Sequence, residues 1–342
     1  MGILGKETRP PPNPAGDGPP TSTRHYLLGL SLGVSSTVLL DLLNANITHQ
    51  LAKNHAPPFT LTVLHLTTHP SPSKEKQDIF TLHRARYPLF TFLAQPLPPT
   101  PISHEAMSVA SRTDIRRTQT RRALLAAARD RGCQALLLGH STTALAELTL
   151  AEAAKGRGWA VPWFVGDGPV SSPQRVLPAG ERDGDEGKGE GAERAAGNGG
   201  EKAGVAVLVY HPLRDALRKE LATYAGLAEP PLTELVVETA DDDGAAGRAV
   251  VSHKDLSIEA VMRRYFAEVE ASYPSVVANV ARTTGKLVRA GGDAGCALCG
   301  MPLDEDGDER WRGELGIVKG LEASRAGLKG RLCYGCERSV GG

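Results

Sequence analysis

Four cysteines near the C-terminus, Cys296, Cys299, Cys333 and Cys336, form two C-x-x-C pairs separated by 33 residues. Each pair can make a knuckle in which two thiolates reach one ion, and two knuckles complete a tetrahedral four-cysteine site. The linker is longer than the ~15–20 residues usual in compact zinc ribbons, which does not prevent closure. Structural zinc is the expected cofactor, because four protein ligands leave no open position for catalysis. It would stabilise a Gly-rich tail with little core of its own. Four thiolates also suit an iron–sulfur cluster, and unmetallated or redox-active pairs form a third reading. Cys133 stands apart and reads as a small buried residue entering a strand, with no catalytic role assigned.

A second feature is the loop Ser31-Leu32-Gly33-Val34-Ser35-Ser36, placed between an apolar run and a helical pattern. A strand–loop–helix junction presents unpaired backbone N–H groups and the positive end of a helix dipole, which together suit an anion. The same residues also suit a tight turn with a serine N-cap.

The third feature is basic. Arg112, Arg116, Arg117, Arg121, Arg122, Arg129 and Arg131 cluster in one helical region. Lys155 and Arg157 flank a Gly-containing turn, and Arg282, Lys286 and Arg289 follow a late helix. Of these, Arg112, Arg117, Arg121, Lys155, Arg157, Arg282 and Lys286 are the candidates for RNA phosphate contact. A solvated, acid-paired helix surface is the competing reading.

The elements that must hold these groups alternate. Short apolar runs at Tyr26–Leu30, Phe59–Leu66, Ala135–Gly139 and Val205–Val209 read as strands. Helical patterns cover Thr37–Leu43, Asp114–Arg131, Thr143–Lys155 and Leu213–Tyr224, with two further helices at Ser257–Ala271 and Pro274–Thr283. Alternation at these lengths predicts an α/β core, a parallel sheet with helices on both faces. The expected organisation is a Pro-rich disordered segment over 1–24 and a first α/β part over 25–178. A disordered low-complexity insertion follows over 179–204, then the α/β continuation with C-terminal helices over 205–290, and a tetracysteine, zinc-ribbon-like metal-binding tail over 291–342.

Composition limits the remaining choices. The 342 residues carry 39 Lys+Arg against 39 Asp+Glu, so bulk charge gives no argument for nucleic-acid binding, and any such binding must be local. No apolar run approaches the ~18 residues of a membrane span, and five cysteines are too few and too clustered for a secreted disulfide framework. The reading is of a soluble, cytosolic protein with no membrane partner.

The loop resembles the SGGxDS pyrophosphate loop of PP-loop ATPases, which adenylate a substrate and release pyrophosphate. Ser31, Gly33 and Ser36 match. Leu32 stands where the motif has Gly, and Ser35 where it has an Asp that can help hold Mg²⁺, so the loop is a degenerate version. Three further stretches narrow the likeness: Leu136–Gly158 (LLLGHSTTALAELTLAEAAKGRG, whose Gly139 is counted with Ser31, Gly33, Ser35 and Ser36 as a nucleotide-like loop residue), His211–Leu227 and Ser257–Leu287. With the cysteine pairs, the chain resembles the cytoplasmic tRNA 2-thiolation protein 2 family over roughly residues 26 to 338, although no cysteine precedes Cys133, where that family commonly has a further cluster.

The resemblance implies a PP-loop ATPase-like (adenine nucleotide alpha hydrolase-like) fold. It implies a part in making 5-methoxycarbonylmethyl-2-thiouridine at the wobble position of tRNA-Lys, tRNA-Glu and tRNA-Gln. It further implies a heterodimer with cytoplasmic tRNA 2-thiolation protein 1 and a thiocarboxylated ubiquitin-related modifier as sulfur carrier, which can also be conjugated to protein. The degenerate loop argues against ATP and Mg²⁺ as cofactors of this chain and for a non-catalytic, tRNA-binding subunit. An autonomous ATP-dependent tRNA sulfurtransferase, and a zinc-stabilised adaptor for protein conjugation, are the alternatives.

Overall fold

The computed structural model describes residues 24–67, 73–100, 102, 107–171, 206–237, 257–289, 294–304 and 330–341. The disordered reading of 1–24 lies outside the described residues except at Arg24, which opens β1 rather than ending a disordered segment, and that of 179–204 lies wholly outside them. In chain order the elements are β1 (Arg24–Gly29), α1 (Val34–Ala52), β2 (Phe59–Thr67), α2 (Lys74–Arg86), β3 (Thr91–Pro96), α3 (Val109–Asp130), β4 (Ala135–Leu138), α4 (Thr142–Ala154), α5 (Val161–Val165), β5 (Gly168–Ser171), β6 (Ala206–Tyr210), α6 (Arg218–Leu227), α7 (Ile258–Ser272), α8 (Pro274–Thr284) and α9 (Tyr334–Gly341).

The strands form one six-stranded sheet in the order β3-β2-β1-β4-β6-β5. Pairing is parallel except for β5, which runs antiparallel to β6, so the sheet is mixed rather than wholly parallel. Side chains of a strand alternate between its two faces. Leu27, Leu64, Leu136, Leu138, Val207 and Val209 pack with residues of α3, α4 and α5 on one face. Tyr26, Leu28, Leu61, Val63, Ala135, Leu137 and Tyr210 pack with α1, α2 and α6 on the other. All four residues of β4 are buried, as a central strand covered on both faces requires.

Local sequence explains several boundaries. Ser108, Ser141 and Ser257 each accept a hydrogen bond from the backbone N–H three residues on, capping α3, α4 and α7. Pro274 opens α8, where its missing N–H costs nothing. The helix expected from Leu213 begins five residues later, at Arg218. The carbonyls of Arg214 and Ala216 are taken by the hydroxyl and N–H of Thr142, at 2.6 and 2.9 Å, which holds His211–Leu217 as turns against the start of α4. The sequence expectation lacks strands β3 and β5 and helices α2 and α5.

The cysteine-bearing tail does not stand apart. Leu298, Met301, Leu303, Leu332 and Val340 belong to the same apolar cluster as Leu125, Leu136 and Val209. The tail, expected to have little core of its own, shares that of the sheet: its apolar residues complete one face of it.

Candidate metal centre and switch-point crevice

From β1 the chain winds outward through β2 to β3, then returns to place β4 on the other side of β1. Open α/β sheets bind ligands at such a reversal, outside the carboxyl ends of the strands. The loop Ser31–Ser36 follows β1 there, and Gly139-His140-Ser141 follows β4. The structure thus brings Ser31, Gly33, Ser36 and Gly139 together. A Cβ added at Gly139 would lie 2.7 Å from the Ser36 Cα and 2.9 Å from its N, backbone against backbone. Gly139→Ala must push α1 away from β4, and we expect a loss of about 1–3 kcal/mol in urea unfolding. An unchanged midpoint would show that the two segments separate freely.

The loop itself is closed. Gly33 N donates to Ser31 Oγ at 3.3 Å, Ser31 and Ser36 hydroxyls pair at 3.0 Å, and Ser36 Oγ donates to the Gly33 carbonyl at 3.0 Å. Leu32 adopts φ 63°, the left-handed region in which a side chain costs roughly 1–2 kcal/mol. Its side chain is buried in the α1 core, and its carbonyl accepts from Val237 N at 2.8 Å. Burial of a leucine, about 1.5–3 kcal/mol, offsets that strain. A residue that in the motif would be bare backbone beside phosphate is here part of the hydrophobic core.

Next along the crevice, His140 stacks on His211, with ring centroids 5.1 Å apart and planes at 28°. Burial, and for His140 the neighbouring His211, hold both imidazoles below the usual histidine range. His211 Nδ1 is 3.0 Å from Asp167, which also accepts from Arg214 at 2.9 Å. The sequence marks His140 as an ordinary histidine, and nothing in its spacing points to His211, 71 residues away. Cys133 is buried, and desolvation pushes its thiol up to about 11, which keeps it protonated at neutral pH.

The cysteines converge as their spacing required. Cys296, Cys299, Cys333 and Cys336 are all buried, with Sγ atoms within 4.8 Å of one another. Cys299 and Cys333 Sγ are 3.9 Å apart, and Cys333 N donates to Cys296 Sγ at 3.3 Å. Backbone bonds from Cys296 N to Met301 O and from Gly300 N to Cys296 O, both 2.8 Å, shape the first knuckle. Gly300 supplies its left-handed residue at φ 72°. Four converging sulfurs of this kind fit a metal ion.

The basic candidates divide. Arg112, Arg282 and Lys286 are exposed. Lys155 and Arg157 are not, contrary to their reading as a phosphate-contacting turn. Lys155 Nζ donates to Asp114 at 2.6 Å, Glu152 at 2.7 Å and Glu259 at 2.6 Å, occupying the point where these three carboxylates converge. Arg157 Nη1 lies 3.0 Å from both Asp114 and Glu152, while Nη2 meets Asp114 and, at 3.2 Å, Ser339. Arg117 adds ion pairs to Glu152 at 3.7 Å and Glu259 at 3.6 Å. Arg121 turns inward onto the Trp163 carbonyl at 2.6 Å and over the Phe164 ring. A charge buried in this way cannot neutralise an external phosphate, so Lys155, Arg157 and Arg121 leave the tRNA-contact set.

The turn instead seats the C-terminal helix. Gly156, at φ 83°, lies under the Tyr334 ring, and Gly335 lies against Arg157 and the Lys155 carbonyl, so neither position has room for a Cβ. Ser339 Oγ donates to Asp114 at 2.6 Å. A cavity of about 370 Å³ opens beside the ion network, lined among others by Ser108, Ser111, Lys155, Glu259, Arg338 and Ser339. The sequence offers Asp114 as an acid to pair with the arginines, but not Glu152 and Glu259, which come from two other helices.

Fold and sites together define a class: an open α/β protein with a collapsed phosphate-type loop at its switch point and a tetracysteine centre packed onto one sheet face. Residues 257–326 match the family model described as cytoplasmic tRNA 2-thiolation protein 2. Proteins of that name from Phaeosphaeria nodorum and Pyrenophora tritici-repentis are similar at 33% and 30% identity, covering 94% and 92% of this chain and 82% and 81% of theirs. The chain belongs to the cytoplasmic tRNA 2-thiolation protein 2 family. Among solved structures, the U34-tRNA thiolase NcsA from Methanococcus maripaludis with its [4Fe-4S] cluster is similar at a TM-score of 0.49 and 16% identity, covering 82% of this chain and 81% of that one. Among the described residues, no helix is long and apolar enough to cross a membrane.

Proposed function

We propose that this chain acts in 2-thiolation of the wobble uridine of tRNA-Lys, tRNA-Glu and tRNA-Gln as a non-catalytic, tRNA-binding subunit. Family membership supports the thiolation role. The observation that carries the non-catalytic part is the loop. Ser35 brings no carboxylate for Mg²⁺, Leu32 fills the place of a glycine, and the Gly33 N–H is spent on Ser31. In this reading a homologous partner, cytoplasmic tRNA 2-thiolation protein 1, performs adenylation and sulfur transfer in the cytoplasm. A thiocarboxylated ubiquitin-related modifier supplies the sulfur. Arg112, Arg282 and Lys286 are the tRNA-contact candidates that remain exposed. The four cysteines hold structural zinc in this reading. The 3.9 Å separation of Cys299 and Cys333 supports it, being near the ~3.8 Å edge of a tetrahedron with ~2.3 Å zinc–sulfur bonds. An iron–sulfur cube would instead place one thiolate on each of four irons.

The test is wobble 2-thiouridine in tRNA hydrolysates from cells lacking the protein, complemented with wild type or Gly33→Trp. A Cβ at Gly33 meets only Ser31 Oγ, at 3.4 Å, and φ there is −84°, so the backbone accepts a side chain and the indole obstructs the loop. We expect thiouridine to vanish on deletion and both proteins to restore it. Rescue by wild type alone, with the variant folded, would make the loop functional; unchanged thiouridine on deletion would remove the thiolation role.

A further inference from the structure

The ion network around Lys155 balances itself. Lys155, Arg157 and Arg117 face Asp114, Glu152 and Glu259, three charges of each sign. Two other arginines on α3 are not so matched. Arg122 Nη1 donates to the carbonyls of Ala297 and, at 2.7 Å, Leu298, the two residues between Cys296 and Cys299. Arg121, one residue earlier, has its Nε buried without a partner. No carboxylate among the described residues lies within ion-pair distance of either. A buried or half-buried guanidinium is costly unless an opposite charge answers it. The ionisable groups next to Arg122 are thiols: Cys299, Cys296 and Cys336 all act on it electrostatically, while Arg121 lies in the fields of both Glu152 and Cys299.

A divalent ion held by four thiolates carries a net charge of two minus. We propose that Arg122 is a positioning residue of the metal centre, tying the first knuckle to α3 through both of its inner carbonyls. With Arg121 it supplies the positive charge that answers the tetrathiolate. This inference rests on the metal reading above. It gives α3 a function that its arginine-rich sequence disguises, because two of the arginines that look like nucleic-acid contacts face a metal site instead.

The test compares zinc affinity in the full-length protein, by competition with a chromophoric chelator, for wild type, Arg122→Gln, Arg122→Lys and the exposed control Arg112→Gln. Cobalt substitution, read by thiolate-to-metal charge-transfer absorption, reports the geometry independently of any activity. Outer partners of metal ligands are typically worth ~10–100-fold in affinity, and we expect a loss of that order in Arg122→Gln. Arg122→Lys, which keeps the charge but whose ammonium ends short of the Nη1 position, should lose less, and Arg112→Gln should lose nothing. Should Arg122→Gln fail to fold, Arg122→Lys carries the test through its own reduced affinity and altered cobalt spectrum. Wild-type affinity in the folded Arg122 variants would overturn the proposal. A wild-type protein that takes up neither zinc nor cobalt would overturn the metal reading itself, a distinguishable outcome.

Discussion

Replacing Cys336 by Ser is expected to lower the thermal midpoint of the whole α/β unit, by roughly 10 °C. Cys336 is fully buried and lies on α9, which also carries Ser339 and Val340. On the metal reading proposed above, losing one thiolate from a four-ligand site forfeits most of the metal-binding free energy that had become folding free energy. A ligand present at about a thousand times its dissociation constant contributes about 4 kcal/mol. In a unit of this size each kcal/mol moves the midpoint by about 2–4 °C. Because the cysteine segment shares one apolar cluster with β4 and β6, the loss should appear in a single shifted transition. Calorimetry of wild type, Cys336→Ser and chelator-treated wild type checks this, with the last two expected to coincide. A normal sheet transition accompanied by mere trimming of the tail would contradict the shared core.

The second large effect is expected at Arg157. Arg157→Met leaves Asp114 and Glu152 buried with one cation fewer, and breaking a buried pair from one side typically costs about 3–5 kcal/mol. Burial alone would raise the Asp114 carboxyl; Arg157 and Lys155 overcome that and hold it down at about 2. A carboxyl depressed in the folded state contributes stability that is present above its ordinary range, near 4, and lost as the pH falls through about 2. The Arg157→Met protein should therefore unfold at a higher pH on acid titration than wild type. The paired replacement Arg157→Met with Asp114→Leu is expected to cost less than Arg157→Met alone, since it removes an uncompensated charge along with its partner. Chemical unfolding of the three proteins at pH 7 decides the matter. A single variant within about 1 kcal/mol of wild type would mean that water reaches the network and solvates it.

Much of this molecule was readable from short stretches of chain. The run ALLL at 135–138 announces a strand buried on both faces, because no polar residue interrupts it. Ser257 and Pro274 mark helix starts through local hydrogen bonding and a fixed φ. Strand β3 was harder, since TFLAQP is half-exposed at an edge and ends in proline, so its pattern is weak. The late start of α6 was not readable at all. Its first turns are held by Thr142, some 70 residues away, which competes for the carbonyls a helix would use.

The sites divide on the same principle. Two C-x-x-C pairs, a Gly-Ser loop after a strand and a Gly–His pair after another are local chemistry, and the sequence alone determined that they exist and where they sit. It also carried family membership, spread over most of the chain. Only the tertiary structure decided which charges meet water. Lys155 and Arg157 look like a basic turn until Asp114 arrives from α3, Glu259 from α7 and Ser339 from the C-terminal helix. Arg121 and Arg122 look like their exposed neighbour Arg112 until α5 and the first cysteine knuckle close over them. Residue type fixes the charge a side chain carries, whereas its free energy depends on the dielectric and the partners around it, which long-range packing supplies.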